Sequence, residues 1–199
     1  MIIAGPCALE SEKLALQTLK EAGRRGIERV RMTPWKPRTR PSFAGVGDEA
    51  LPWITLASKE GHIPAAEAMT GEQAEKLVKA VDGNRLIIWI GARNQNQFVQ
   101  EAIGRAVAGV PQVMLMSKNQ MWYGQDAWEG AIEWMIKGGA DPKQLLLCHR
   151  GFAPGPGQDN QGLRNIPDFK MAMTMKRKTG FPTIFDPSHS GGSVPKVFE

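Results

Sequence analysis

Leu86-Ile87-Ile88-Trp89-Ile90 is a run of five apolar residues that stops at Gly91-Ala92-Arg93-Asn94. A run this short, rich in β-branched residues and closed by a turn signal, predicts a strand buried on both faces. The same figure returns along the chain. Met1-Ile2-Ile3-Ala4 precedes Gly5-Pro6-Cys7, and Glu28-Arg29-Val30-Arg31-Met32 leads into a basic segment. Residues 63–68 and 113–116 follow, the latter ending in Ser117-Lys118-Asn119. Residues 145–148 end in His149-Arg150-Gly151, and Thr183-Ile184-Phe185 ends in Asp186-Pro187-Ser188-His189.

Helical signals fill the intervals. Ser11 caps a predicted helix over 12–26, in which Leu14, Leu16, Leu19 and Ala22 supply the apolar residues and Gly26 the stop. Residues 49–59 return the chain, and Thr70-Gly71-Glu72-Gln73 is a capping box opening the next helix. Further helices run through Phe98, Ile103 and Val107, over 126–137 before Gly138-Gly139, and over 168–178. Strict βα alternation predicts an α/β fold with a parallel sheet, either a barrel or a doubly wound sheet. Polar residues follow strands one, two, four, five, six and seven at their C-terminal ends, where a (β/α)8 TIM barrel gathers its active site. A doubly wound sheet concentrates them at one or two switch points. The prediction is one domain over residues 1–199 with about seven βα units, the eighth strand of the barrel being missing and expected beyond Glu199.

A chain of 199 residues with 42% hydrophobic composition has enough apolar side chain for one sizeable core. Its 25 Lys+Arg against 20 Asp+Glu give +5, a balance that favours small anions and lacks the dense basic runs of a nucleic-acid binder. Cys7 and Cys148, each flanked by apolar residues, make no disulfide framework and suit a reducing compartment. No charged leader precedes an apolar stretch, and no 18-residue apolar run occurs, so the expectation is a cytoplasmic protein without a membrane partner.

The charges have a pattern. Lys36-Pro37-Arg38-Thr39-Arg40-Pro41-Ser42-Phe43 places cations between prolines, where neither helix nor strand continues. Alone, such a cluster is ordinarily a solvated loop. Single cations reappear at later strand ends, as if one anion were gripped from several sides.

Gly5-Pro6-Cys7, Lys36-Pro37-Arg38-Thr39, Ile90-Gly91-Ala92-Arg93-Asn94, Lys118-Asn119, Cys148-His149-Arg150-Gly151, Arg164-Asn165 and Asp186-Pro187-Ser188-His189 together resemble the 3-deoxy-7-phosphoheptulonate (DAHP) synthases. The likeness is to their short, single-barrel class and covers essentially the whole chain. It implies condensation of phosphoenolpyruvate (PEP) with erythrose 4-phosphate, releasing inorganic phosphate, at the entry to aromatic amino acid biosynthesis. By that resemblance Arg31, Lys36, Arg93, Lys118 and Arg150 hold PEP, and the backbone N–H of Ala92 or Arg93 adds a phosphate contact. Arg38 and Thr39 take the aldose phosphate. Lys36, Lys118, Cys7 and His189 are the implied catalytic set.

The resemblance also implies a divalent metal ion of the Mn, Fe, Co or Zn class, with Cys7 and His189 as ligands and a Glu and an Asp expected beyond Glu199. Glu67 matches a family Glu near the substrates or orients Lys36 or Arg93; Asp186 tunes His189, contacts the sugar or starts a turn. Arg164 and Asn165 match the family or cap a helix. His149 stands where the family usually has Glu.

The related 3-deoxy-octulosonate 8-phosphate synthases carry a Lys-Ala-Asn-Arg-Ser-Ser type segment after strand two, so Lys36-Pro37-Arg38-Thr39 points to erythrose 4-phosphate. Three alternatives remain: an octulosonate-type enzyme, a non-catalytic PEP- or phosphosugar-binding chain, and a Schiff-base aldolase using Lys118. A homo-oligomer is expected by analogy.

Overall fold

The structure is a computed structural model that describes residues 1–38 and 40–198. Its strands are β1 (Ile3–Ala4), β2 (Arg29–Arg31), β3 (Ile63–Glu67), β4 (Leu86–Ile90), β5 (Val113–Lys118), β6 (Leu145–His149) and β7 (Thr183–Phe185). Helices α1 (Glu12–Arg24), α2 (Leu51–Lys59), α3 (Gly71–Ala80), α4 (Gln97–Ala106), α5 (Gln125–Gly138) and α6 (Phe169–Thr179) connect them. Two short helices, α7 (Pro187–Gly191) and α8 (Val194–Phe198), follow β7.

All seven strands are parallel and pair in chain order, with no reversal of direction in the strand sequence. This removes the doubly wound alternative, whose strand order must turn back at a switch point. The sheet curls. One cavity is lined by Ile3 and Ala4 of β1, Thr183 and Ile184 of β7, and Trp89 and Met116 from the middle strands.

Alternation along the strands sorts the core into two layers. Ile63, Ala65, Ile87, Trp89, Met116, Leu146 and Cys148 point into the curl. Ala66, Leu86, Ile88, Val113, Leu115, Leu145 and Leu147 point out against the helices. Because both faces of β3 to β6 are covered, these strands read as largely apolar runs. The helix caps match the sequence signals: Ser11 Oγ accepts from the Leu14 N–H and Thr70 Oγ1 from the Gln73 N–H, while Gln73 Oε1 accepts from the Met69 N–H.

Three local expectations change. β1 was expected over the first four residues, but Met1 and Ile2 are 55% and 69% exposed and outside the strand. Within the described sheet β1 has a neighbour on one side only, so nothing covers its start. Leu16 and Phe98, read as apolar contributors to their helices, face solvent. The start of the helix expected from 49 is a 3-10 turn, Gly47–Ala50, before α2.

Candidate active site

The cations expected at strand ends converge on one cavity at the C-terminal end of the sheet. Its lining comprises Cys7, Arg31, Lys36, Pro37, Glu67, Gly91, Ala92, Arg93, Lys118, Arg150 and His189. Five of these are cations and one is a carboxylate. Arg31, Glu67 and Lys118 end their strands, so the inward alternation that buries Ala65 and Met116 carries them to the rim of the curl.

Each cation is held differently. Arg31 Nη2 donates to the Cys7 carbonyl oxygen at 2.9 Å and to its Sγ at 3.4 Å. Lys118 Nζ pairs with Asp186 Oδ2 at 3.0 Å. Arg150, 2% exposed, donates from Nη1 to Asn165 Oδ1 at 3.1 Å. Its backbone N–H donates to Asn119 Oδ1, and its carbonyl accepts from Ser190 Oγ. Burial lowers the Arg150 pKa to about 10, which leaves it charged at neutral pH.

Lys36 enters from the proline-fenced loop. That segment forms neither helix nor strand at its described residues, and it is closed by Lys36 N–H to Ala44 O and Arg38 Nε to Phe43 O, both 2.7 Å. Arg38 is exposed and outside the cavity lining. Its assignment to the aldose phosphate therefore gains no support from the cavity, and Thr39 lies outside the described residues.

Asp186 does three things at once. Its Oδ1 accepts from the His189 N–H at 3.1 Å, capping α7 with Pro187 in the first turn. Its Oδ2 accepts from Lys118 Nζ and from His189 Nδ1, the latter at 2.8 Å. Burial pushes the Asp186 pKa up, yet the His189 bond and the Lys118 charge outweigh it and hold the carboxyl ionised, well below its ordinary value. Asp186 in turn favours a charged His189, but burial with Lys118 and Arg150 prevails and lowers the imidazole pKa. The ring is neutral at pH 7, with Nδ1 bonded to Asp186 and Nε2 left as a lone-pair donor.

Glu67 is nine-tenths buried, and burial raises its pKa against the opposing pull of Lys118, Arg31 and Arg93. Gly91 makes room for it: a Cβ there would stand 1.9 Å from Glu67 Oε1. The Cys7 thiol is pushed up by partial burial but pulled below its ordinary pKa by Arg31 and Lys36.

A thiolate-forming cysteine and a neutral imidazole backed by a carboxylate are good donors for a first-row metal ion. Two donors make half a site, because such ions take three or four protein ligands. No group of three or more His, Cys, Asp or Glu is placed to hold a metal among the described residues. Lys118 is ion-paired with Asp186, whereas a Schiff-base lysine must present a free neutral amine.

Sequence reasoning missed the frame around these groups. Asn165, offered as a helix cap, links the Arg150 guanidinium to the His189 carbonyl, to which its Nδ2 donates at 2.5 Å. His149 supports α6: its Nε2 accepts from the Asp168 N–H at 2.8 Å, beneath that helix's N-cap. Cys148 is core, and burial lifts its pKa to about 12.

The model of the DAHP synthetase I family matches residues 1–196. The chain belongs to that family. The phospho-2-dehydro-3-deoxyheptonate aldolase of Thermotoga maritima is 29% identical over 193 residues, covering 96% of this chain and 53% of the relative. A 2-dehydro-3-deoxyphosphooctonate aldolase of Acidithiobacillus ferrooxidans is 27% identical over 198 residues, covering 95% and 64%. The crystal structure of the Thermotoga maritima DAHP synthase superposes with a TM-score of 0.82 at 28% identity, over 98% of this chain and 54% of that one. A truncated form of the Thermotoga maritima enzyme gives 0.77 at 26%, over 98% and 66%. This DAHP synthetase I chain therefore has the TIM-barrel-like fold with seven strands described, and it spans about half the length of its Thermotoga relative. Relatives named for a heptonate and for an octonate both match, so membership leaves the sugar open.

Proposed function

We propose that this chain forms the PEP-binding part of a DAHP synthase that condenses PEP with erythrose 4-phosphate and releases inorganic phosphate. The observation that carries the reading is the convergence of Arg31, Lys36, Arg93, Lys118 and Arg150 on one cavity. PEP has a carboxylate and a phosphate a few bonds apart, and planar guanidinium forks together with ammonium groups suit such a multiply charged anion. C3 of PEP attacks the aldehyde carbon, whose oxygen takes up a proton; water adds to C2, and the C–O bond to phosphate then breaks as the new C2 hydroxyl gives its proton to the departing phosphate. Charge gathering on the departing phosphate is met by fixed cations, of which the buried Lys118 and Arg150 act most strongly. Glu67, its pKa raised by burial, is the lining carboxylate that takes the proton of the attacking water.

A divalent metal ion belongs to this proposal only as far as Cys7 and His189, which would be two of its ligands; no step above runs through it. A cytoplasmic homo-oligomer is proposed with it. No helix among the described residues is long and apolar enough to cross a membrane.

The second reading is a chain that binds PEP or a phosphosugar without turnover, favoured by the two-donor metal set. One assay separates them: phosphate release from PEP with erythrose 4-phosphate or arabinose 5-phosphate, with added divalent metal, beside calorimetric PEP binding. Release with the tetrose supports the first reading. Binding without release supports the second, release with the pentose alone assigns the octulosonate reaction, and absence of calorimetric binding of PEP and of either sugar phosphate overturns all three.

A further inference from the structure

Trp89 sits in β4 two residues before Gly91, 2% exposed, and does not line the cation-ringed cavity. Its ring meets two cations that do. Arg31 Cζ lies 5.2 Å and Lys118 Nζ 4.9 Å from the indole centroid. Arg31 Nε is buried and has no hydrogen-bond acceptor. The guanidinium is thus anchored at one corner by Cys7 and packed beside the ring, with Glu67 near enough to feel its charge.

Two like charges repel; Asp186 pairs with Lys118 and Glu67 lies near both cations, and a further carboxylate would weaken the potential that draws an anion in. An indole attracts both through its quadrupole and adds no charge. We infer that Trp89 is a positioning residue that sets the spacing of Arg31 and Lys118 by cation–π attraction, adding no countercharge to those that Asp186 and Glu67 already supply. This role rests on the proposed PEP site and goes beyond it: Trp89 touches the cations, not the ligand.

The test replaces Trp89 by the isosteric mono-, di-, tri- and tetrafluorotryptophans, which drain the ring quadrupole while keeping its shape, and titrates each folded protein with PEP and with inorganic phosphate. The dissociation constant is expected to climb with each fluorine, reaching about tenfold for the tetrafluoro ring, at an unchanged melting temperature. Trp89→Phe, which keeps an aromatic face and loses the indole N–H, is expected to weaken binding less than Trp89→Leu. A flat fluorine series, or equal losses for Phe and Leu, overturns the inference. If the unsubstituted protein binds phosphate but not PEP, the proposed function falls and Trp89 is judged on the phosphate series. If it binds neither anion, both fall.

Discussion

Arg150 is the most enclosed of the cavity cations, and what encloses it is polar: Asn119, Asn165 and Ser190 hold its backbone and its guanidinium. Removing the side chain leaves Asn165 Oδ1 facing a void, while the bonds of Asn119 and Ser190 to the backbone remain. Arg150→Ala is expected to weaken PEP binding about 100-fold, the scale of a lost charge-assisted pair, while Asn165→Ala costs about tenfold by freeing the fork to turn. Calorimetric titration of both variants checks the order. Asp186 offers a sharper reading, because it raises the His189 pKa while burial and two cations lower it. Asp186→Asn is expected to lower that pKa further, measured by following the His189 ring proton through an NMR pH titration. An upward shift would contradict the assigned electrostatics.

At the scale of elements, two packing devices decide stability. Helices α4 and α5 approach through reciprocal glycines: a Cβ on Gly104 would stand 2.2 Å from Met135 O, and one on Gly138 2.2 Å from Glu101 O. Gly104→Ala is expected to cost about 2 to 3 kcal/mol in chemical denaturation, because backbone must move to admit the methyl group. The other device is His149, 1% exposed among Trp128, Phe152, Phe169 and Phe185, where burial pushes its pKa down to about 4. The unfolded imidazole takes a proton near 6.5 while the folded one resists to about 4. The unfolded chain therefore binds more protons in that window, and stability is lost as pH falls through it, by up to about 3 kcal/mol. His149→Leu is expected to flatten the stability profile between those limits, measured by denaturant midpoints at several pH values.

The elements were legible where both faces of a strand are covered. β4 matches its apolar run, because a short strand buried along its whole length reads as little else once a glycine stops it. The start of β1 was misread for the opposite reason: apolar Met1 and Ile2 lack the second neighbour that would bury them. In the site, Arg31, Arg93, Lys118 and Arg150 were legible because each sits at or just past a strand end. Trp89 and Asn165 were not. An inward tryptophan reads as core until the register places cations beside it, and Asn165 acts across the chain on Arg150 and His189. Arg38 shows the converse: a basic residue in the right segment, turned out of the cavity by its bond to Phe43.

For the whole molecule, the described sheet has two strands paired on one side only, β1 and β7, and both line a cavity of about 640 Å³ that opens beside Lys118 and Asp186. The cationic cavity is built from β2 through β6 with the segments after β1 and β7, so anion binding is expected of this chain itself. The central claim is that its cations act together on one small, multiply charged anion. Titrating the 199-residue protein with PEP at rising salt, beside the Lys118→Ala and Arg150→Ala variants, tests it most directly. One-site binding that weakens steadily with salt and by about 100-fold in either variant is expected. Absent binding, or binding indifferent to both substitutions, would contradict it.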